Sequence, residues 1–158
     1  MENITSKELS LKAPPVARAT MLIRRPVEEV FNAFIDPSVT EKFWFSRSSG
    51  PLRVGETVTW YWDYYGVFGE VLVTAIEKNK QIKIEWPTPV EWLFASDDDG
   101  TTFVTITASG FTGSDDDKVA QALESTEGFN LVISACKALL EHGIQLNLVA
   151  DKCPKSGE

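Results

Sequence analysis

Val58, Trp60, Trp62 and Tyr64 alternate with Thr59, Tyr61 and Asp63. Successive strand side chains point to opposite sides, so the pattern predicts a strand over Glu56 to Tyr64 with four large apolar groups on one face. The same alternation predicts strands over Val16 to Arg24, Phe68 to Glu77, Gln81 to Trp86, Val90 to Ser96 and Thr101 to Ser109. Within Gln81 to Trp86, Ile82, Ile84 and Trp86 alternate with Lys83 and Glu85, which gives one buried face and one wet face. Gly66, Asn79-Lys80 and Asp97-Asp98-Asp99-Gly100 supply the turns, and Pro87 and Pro89 are expected to bracket a kink.

A helical period replaces the alternation twice. Pro26 suits a first helical turn, Val27, Val30, Phe31 and Phe34 recur at helical spacing, and Asp36-Pro37 ends that helix. A second short helix over about Ser38 to Phe43 leads into Phe43-Trp44-Phe45. Ser114 or Asp115 is placed to cap a final long helix, with Asp115 to Asp117 at its positive end and Gly143 as its stop. On a helical wheel Ala122, Ser125, Phe129, Val132, Ile133, Cys136, Leu140 and Gly143 form one stripe, and Glu127, Asn130 and Glu141 fall on the opposite face. Residues 1–15 are expected to be a flexible lead, 16–143 the domain, and 144–158 a tail.

A chain of 158 residues is the length of one domain, and 43% hydrophobic with 24% charged residues is an ordinary globular balance. A net charge of −8 argues against nucleic acid and against docking on anionic lipid, both of which need clustered basic residues. No apolar run approaches a membrane span, so no membrane insertion is expected. Residues 1–12 lack the apolar core of a signal peptide, which predicts a cytoplasmic protein. Cys136 and Cys153 are read as a buried thiol and a tail thiol.

Arg25-Pro26-Val27-Glu28-Glu29-Val30-Phe31, Asp36-Pro37, Phe43-Trp44, Val54-Gly55-Glu56, Gly69-Glu70-Val71-Leu72, Ile84-Glu85-Trp86, Ser109-Gly110-Phe111 and Glu127-Gly128-Phe129 follow one another in a recognisable order. This order resembles the START-like (SRPBCC) superfamily. More narrowly, it resembles the branch named after the activator of heat-shock protein 90 ATPase homologue. The resemblance implies an α+β helix-grip fold: a curved antiparallel sheet of six to seven strands around a long C-terminal helix, with two short helices after the first strand. It implies a hydrophobic ligand cavity for some members, cyclase or hydrolase chemistry for others, and a chaperone contact for the eukaryotic activator. That activator carries a separate N-terminal domain, which residues 1–15 cannot supply.

Between sheet and helix, Trp44, Trp60, Trp62, Leu72, Trp86, Trp92, Phe129 and Ile133 are expected to line an apolar pocket for a small lipid-like or aromatic molecule. Its mouth is expected beside the helix after Asp36-Pro37, with a short segment there as a lid. The rival is a dry core filled by the same rings. Glu70 shares strand parity with Phe68 and Leu72, so a cavity carboxylate with a raised pKa is the one weak catalytic candidate. A shift of parity near Gly69 would instead leave Glu70 in water. No cofactor and no metal is expected. The single histidine, His142, reads as a cap in the last helical turn, and one histidine cannot build the usual zinc site. Asp97 to Asp99 lack the spaced oxygens of a calcium loop. The outward row Thr57, Thr59 and Tyr61 carries little charge, which leaves homodimer and monomer both open.

Overall fold

Buried and exposed positions alternate along β1 (Ala17–Ile23), the first strand of the computed structural model, which describes residues 10–152. Two short helices follow, α1 (Val27–Ile35) and α2 (Pro37–Thr40). The chain then builds β2 (Arg47–Ser48), β3 (Thr57–Trp62), β4 (Val67–Glu77), β5 (Gln81–Trp86), β6 (Thr88–Ser96) and β7 (Thr102–Ala108). The long helix α3 (Asp115–His142) and a single turn, α4 (Leu148–Asp151), complete it. One seven-stranded antiparallel sheet has the order β1-β7-β6-β5-β4-β3-β2. With α3 packed on it, this is the helix-grip architecture expected from the sequence. Cys153 lies outside the described residues.

Three local features differ from expectation. The aromatic strand stops at Trp62, because the chain turns through Asp63 to Gly66, where Gly66 adopts φ 64°. Tyr64 therefore leaves the sheet, and its hydroxyl donates to the Trp44 carbonyl at 2.8 Å. Burial, then the neighbouring Tyr65, pushes its phenol up to about 12. Pro89 makes no break: β6 runs through it, with Pro89 opposite Glu85. β2 has no sequence pattern behind it. Its flanking serines pair with the free edge of β3, Ser49 exchanging bonds with Thr59 and Ser46 with Tyr61 and Asp63.

The cap of α3 follows its sequence. Ser114 accepts from the Asp117 amide and Asp117 accepts from the Ser114 amide, both at 3.1 Å, which closes a capping box. Gly143 ends the helix at φ 66°, a conformation costly for any residue with a β-carbon. Along the helix Ala122, Phe129, Val132, Ile133, Ala135 and Cys136 are buried against the sheet. Each large apolar side chain taken out of water contributes about 1.5–3 kcal/mol, against about 0–1 kcal/mol for a surface ion pair, so this face fixes the helix.

Glu141 corrects the helical-wheel reading. It was placed opposite the buried stripe, yet only 9% of its side chain is exposed. The last turns of α3 run beside the end of β1 rather than out into solvent. There Glu141 accepts from the Arg24 amide at 2.9 Å and from the Lys137 ammonium at 2.6 Å. Lys137 also donates to the Leu22 carbonyl at 2.6 Å. Burial pushes the Glu141 carboxyl up, but these donors and their charges outweigh it and hold it below the ordinary range. A depressed carboxylate stabilises the fold when ionised. That contribution is complete above the unfolded value of about 4.3 and is lost as pH falls through the lower folded value. Glu141→Gln is expected to cost about 1 kcal/mol at neutral pH. Urea unfolding at several pH values should show the difference closing only below about pH 4.

Candidate functional site

A cavity of about 600 Å³ opens between one end of the sheet, α3 and the segment that carries α4. That volume is in the range of small-molecule sites. Trp44, Trp62, Trp86 and Phe129 form its aromatic wall. Trp62 and Trp86 stack at 5.3 Å between centroids, and Trp44 meets Trp86 edge-on at 5.8 Å and Phe129 at 5.9 Å. Val132 and Leu131 of α3 face them, and Val149 of α4 closes a third side beside Tyr65. The Tyr65 hydroxyl donates to the Val149 carbonyl, which ties α4 to the β3–β4 turn. Residues 144–152, expected as a tail, thus contribute to the cavity wall.

Two glycines shape the space. Gly128 lies inside α3, where glycine costs about 0.8–1 kcal/mol relative to alanine. A β-carbon there would meet nothing within 4 Å, and the residue lines the cavity. The helix therefore gives up a side chain where the cavity needs room. Gly69 does the reverse. A β-carbon at Gly69 would stand 2.6 Å from Trp86 Nε1, so the bare backbone is the seat on which the Trp86 indole rests.

Of the eight residues expected to line a pocket, Trp44, Trp62, Trp86 and Phe129 meet at this cavity. Trp60, Trp92 and Ile133 lie deeper, fully buried in the core behind it. Leu72 is a correction: it is 38% exposed on the outer face of β4. Glu70 is exposed on the same outer face, and the catalytic role considered for it is withdrawn on geometry. The pairing of β3 with β4 gives the reason. Trp60 stands opposite Gly69 and Val58 opposite Val71, and residues paired across a ladder share a face. Gly69, Val71 and Val73 therefore look inward, while Phe68, Glu70 and Leu72 look outward. Phe68, 71% exposed, reaches the cavity only at its rim.

The mouth is also displaced from the expected position. It is bordered by Glu124, Lys152 and Phe68, and no residue of α2 lines the cavity. Among these rim groups Lys152 pairs with Glu127 at 3.3 Å. Gly128 was visible in the sequence as a glycine inside a helical pattern, a signal that could have marked the cavity. Val149 and Lys152 carried none, because they lie beyond the last periodic segment.

The remaining chemistry is dispersed. Cys136 is buried, and burial followed by the charge of Glu29 pushes its thiol up, away from a reactive thiolate. His142 is exposed at the end of α3, 3.8 Å from Glu141. Asp99 accepts from the Thr101 hydroxyl at 2.6 Å and its amide at 3.1 Å, which holds its carboxyl below the usual range and closes the turn. Among the described residues no group of three or more His, Cys, Asp or Glu side chains could hold a metal ion. No helix among them is long and apolar enough to cross a membrane.

Residues 24–141 match the family described as Activator of Hsp90 ATPase homolog 1-like protein. Among solved structures, protein SSP2350 from Staphylococcus saprophyticus is 32% identical with a TM-score of 0.73, over 83% of this chain and 95% of that one. Protein MLL2253 from Mesorhizobium loti is 20% identical with a TM-score of 0.71, over 82% and 98%. The Aha1 dimer from Colwellia psychrerythraea, a solution structure, is 21% identical with a TM-score of 0.68, over 81% and 97%. The last two likenesses are of fold. No curated protein matches the chain.

Proposed function

Since the chain belongs to the Activator of Hsp90 ATPase homolog 1-like family, within the START-like superfamily, we propose that it binds a small hydrophobic ligand in the cavity between sheet and α3. The observation that carries this reading is Gly128. A side chain there would find open space and improve the helix, yet the position is left bare beside the aromatic wall. A core selected only for stability fills such space, because interiors pack as densely as organic crystals.

Gly128→Leu separates binding from folding. It is expected to keep or raise stability, since glycine costs about 0.8–1 kcal/mol relative to alanine in a helix and leucine ranks close behind alanine. It should also occupy part of the cavity. Native mass spectrometry of freshly purified protein, joined to thermal shifts across a library of lipids and aromatic compounds, should find a ligand for the wild type that Gly128→Leu no longer takes. A wild type that is empty and unshifted throughout would end this proposal. The cyclase or hydrolase alternative loses its acid–base with Glu70 on the outer face. A chaperone-modulating role has the family description behind it, and that alone.

The Colwellia protein is described as a dimer. For this chain a second copy has little to add to by strand pairing at the β2 edge of the sheet. Ser46 and Ser49 occupy the outward groups of β3, and β2 beyond them is two residues long. A homodimer built by strand pairing would have to use the opposite edge, β1, and light scattering measures whether one forms.

A further inference from the structure

We infer that the ligand of this cavity is a small apolar cation, a quaternary or protonated amine carried on an aromatic or short aliphatic body. The inference rests on the ligand-binding reading above and adds the charge of what is bound. An uncharged lipid is accommodated equally well by leucine or isoleucine. Here, three indoles and one phenyl ring, Trp44, Trp62, Trp86 and Phe129, make one wall. The faces of such rings carry the negative lobe of a quadrupole, strongest for tryptophan, and attract a desolvated cation. Shape alone does not call for so many indoles in one wall.

The mouth has the matching sign. Glu124 borders the cavity, is exposed, and has no cationic partner among the described residues. Lys152, the cation at the same rim, is already neutralised by Glu127 at 3.3 Å. An anionic ligand would have to draw Lys152 away from Glu127 and then lay its charge against electron-rich rings. A cation meets an unpaired carboxylate first and the rings next. The net charge of −8 adds a field that raises cation concentration near the surface.

Two probes of the same shape isolate the charge: phenyltrimethylammonium and tert-butylbenzene, titrated into ¹⁵N-labelled protein while the five tryptophan indole N–H signals are followed. The cation should move the Trp62 and Trp86 signals and bind about fivefold more tightly than its neutral isostere. Glu124→Gln, a conservative change at an exposed position, should reduce that preference by about half while leaving the spectrum folded. Equal or tighter binding of tert-butylbenzene at the same indoles would overturn the cation and leave the cavity standing as a hydrophobic site. Cation binding that leaves Trp62 and Trp86 unmoved would also overturn it, because the charge would then be held by the acidic surface. If neither probe moves an indole signal, the inference falls together with the cavity reading beneath it.

Discussion

Ile133→Asp is expected to leave the chain without a cooperative folded state. Ile133 is 0% exposed at the centre of the face by which α3 lies on the sheet. Removing the isoleucine forfeits about 2–5 kcal/mol in lost burial and cavity formation. The new carboxylate enters an apolar site where Lys137, one turn on, is already engaged by Glu141 and the Leu22 carbonyl, so it must either ionise poorly paired or bind a proton, at a further cost of several kcal/mol. A domain's whole stability is about 5–15 kcal/mol, so the sum takes most or all of it. Leu123→Asp is the matched control. It makes the same chemical change on α3 at a position 67% exposed, and should shift stability by only about 0.5 kcal/mol. Circular dichroism melts of the two variants decide the matter. A cooperative melt of Ile133→Asp within a few degrees of wild type would show that α3 does not pack by this face.

Gly69→Val is expected to act on the site from the opposite side. The first atom of the valine side chain would enter at 2.6 Å from Trp86 Nε1, nearer than non-bonded atoms approach. Gly69 has no unusual φ, so the cost is one of crowding rather than of backbone strain. Trp86 cannot turn aside freely, because Trp62 stacks on it at 5.3 Å and Trp60 stands edge-on at 5.5 Å. The indole must move toward the cavity, the one side that holds free volume. Overpacking of this kind costs about 1–3 kcal/mol. The expected result is a lower urea midpoint, an altered near-ultraviolet circular dichroism from the displaced indole, and weaker binding of the ligand proposed above. Unchanged near-ultraviolet spectra and midpoint would mean that Trp86 does not rest on Gly69.

The fold was legible where a period was strong. The alternation around Ile82, Ile84 and Trp86 marked β5 to its ends, and Ser114 and Gly143 marked both ends of α3. The site was legible only as a list of aromatics. Parity within β4 misled, because Phe68 and Leu72 look like inward residues until their partners are known. It is the ladder, with Gly69 opposite Trp60, that assigns the face, and ladder register is a property of two strands. Trp60 and Trp92 could not be separated from Trp62 and Trp86 by residue type. The difference lies in depth beneath α3, which the linear pattern does not encode. β2 escaped because two residues cannot display a period, and α4 because it lies beyond the last periodic segment.

The position of β1 in the sheet bears on how the molecule assembles. It is the first strand among the described residues, and its one strand partner among them is β7, with Ala17 opposite Ala108 and Ile23 opposite Thr102. β3 to β7 form an unbroken run of neighbours and can zip by short hairpins, each closing within microseconds. β1 has to wait for the last of them, and the entropy of closing the chain between Ile23 and Thr102 as one loop falls on that single step. Until then the inner side chains of β7 and the buried stripe of α3 have one flank uncovered. The Lys137 and Glu141 contacts with the end of β1 then belong to the late part of the reaction. Weakening them should leave the folding rate nearly unchanged and let the finished protein open faster.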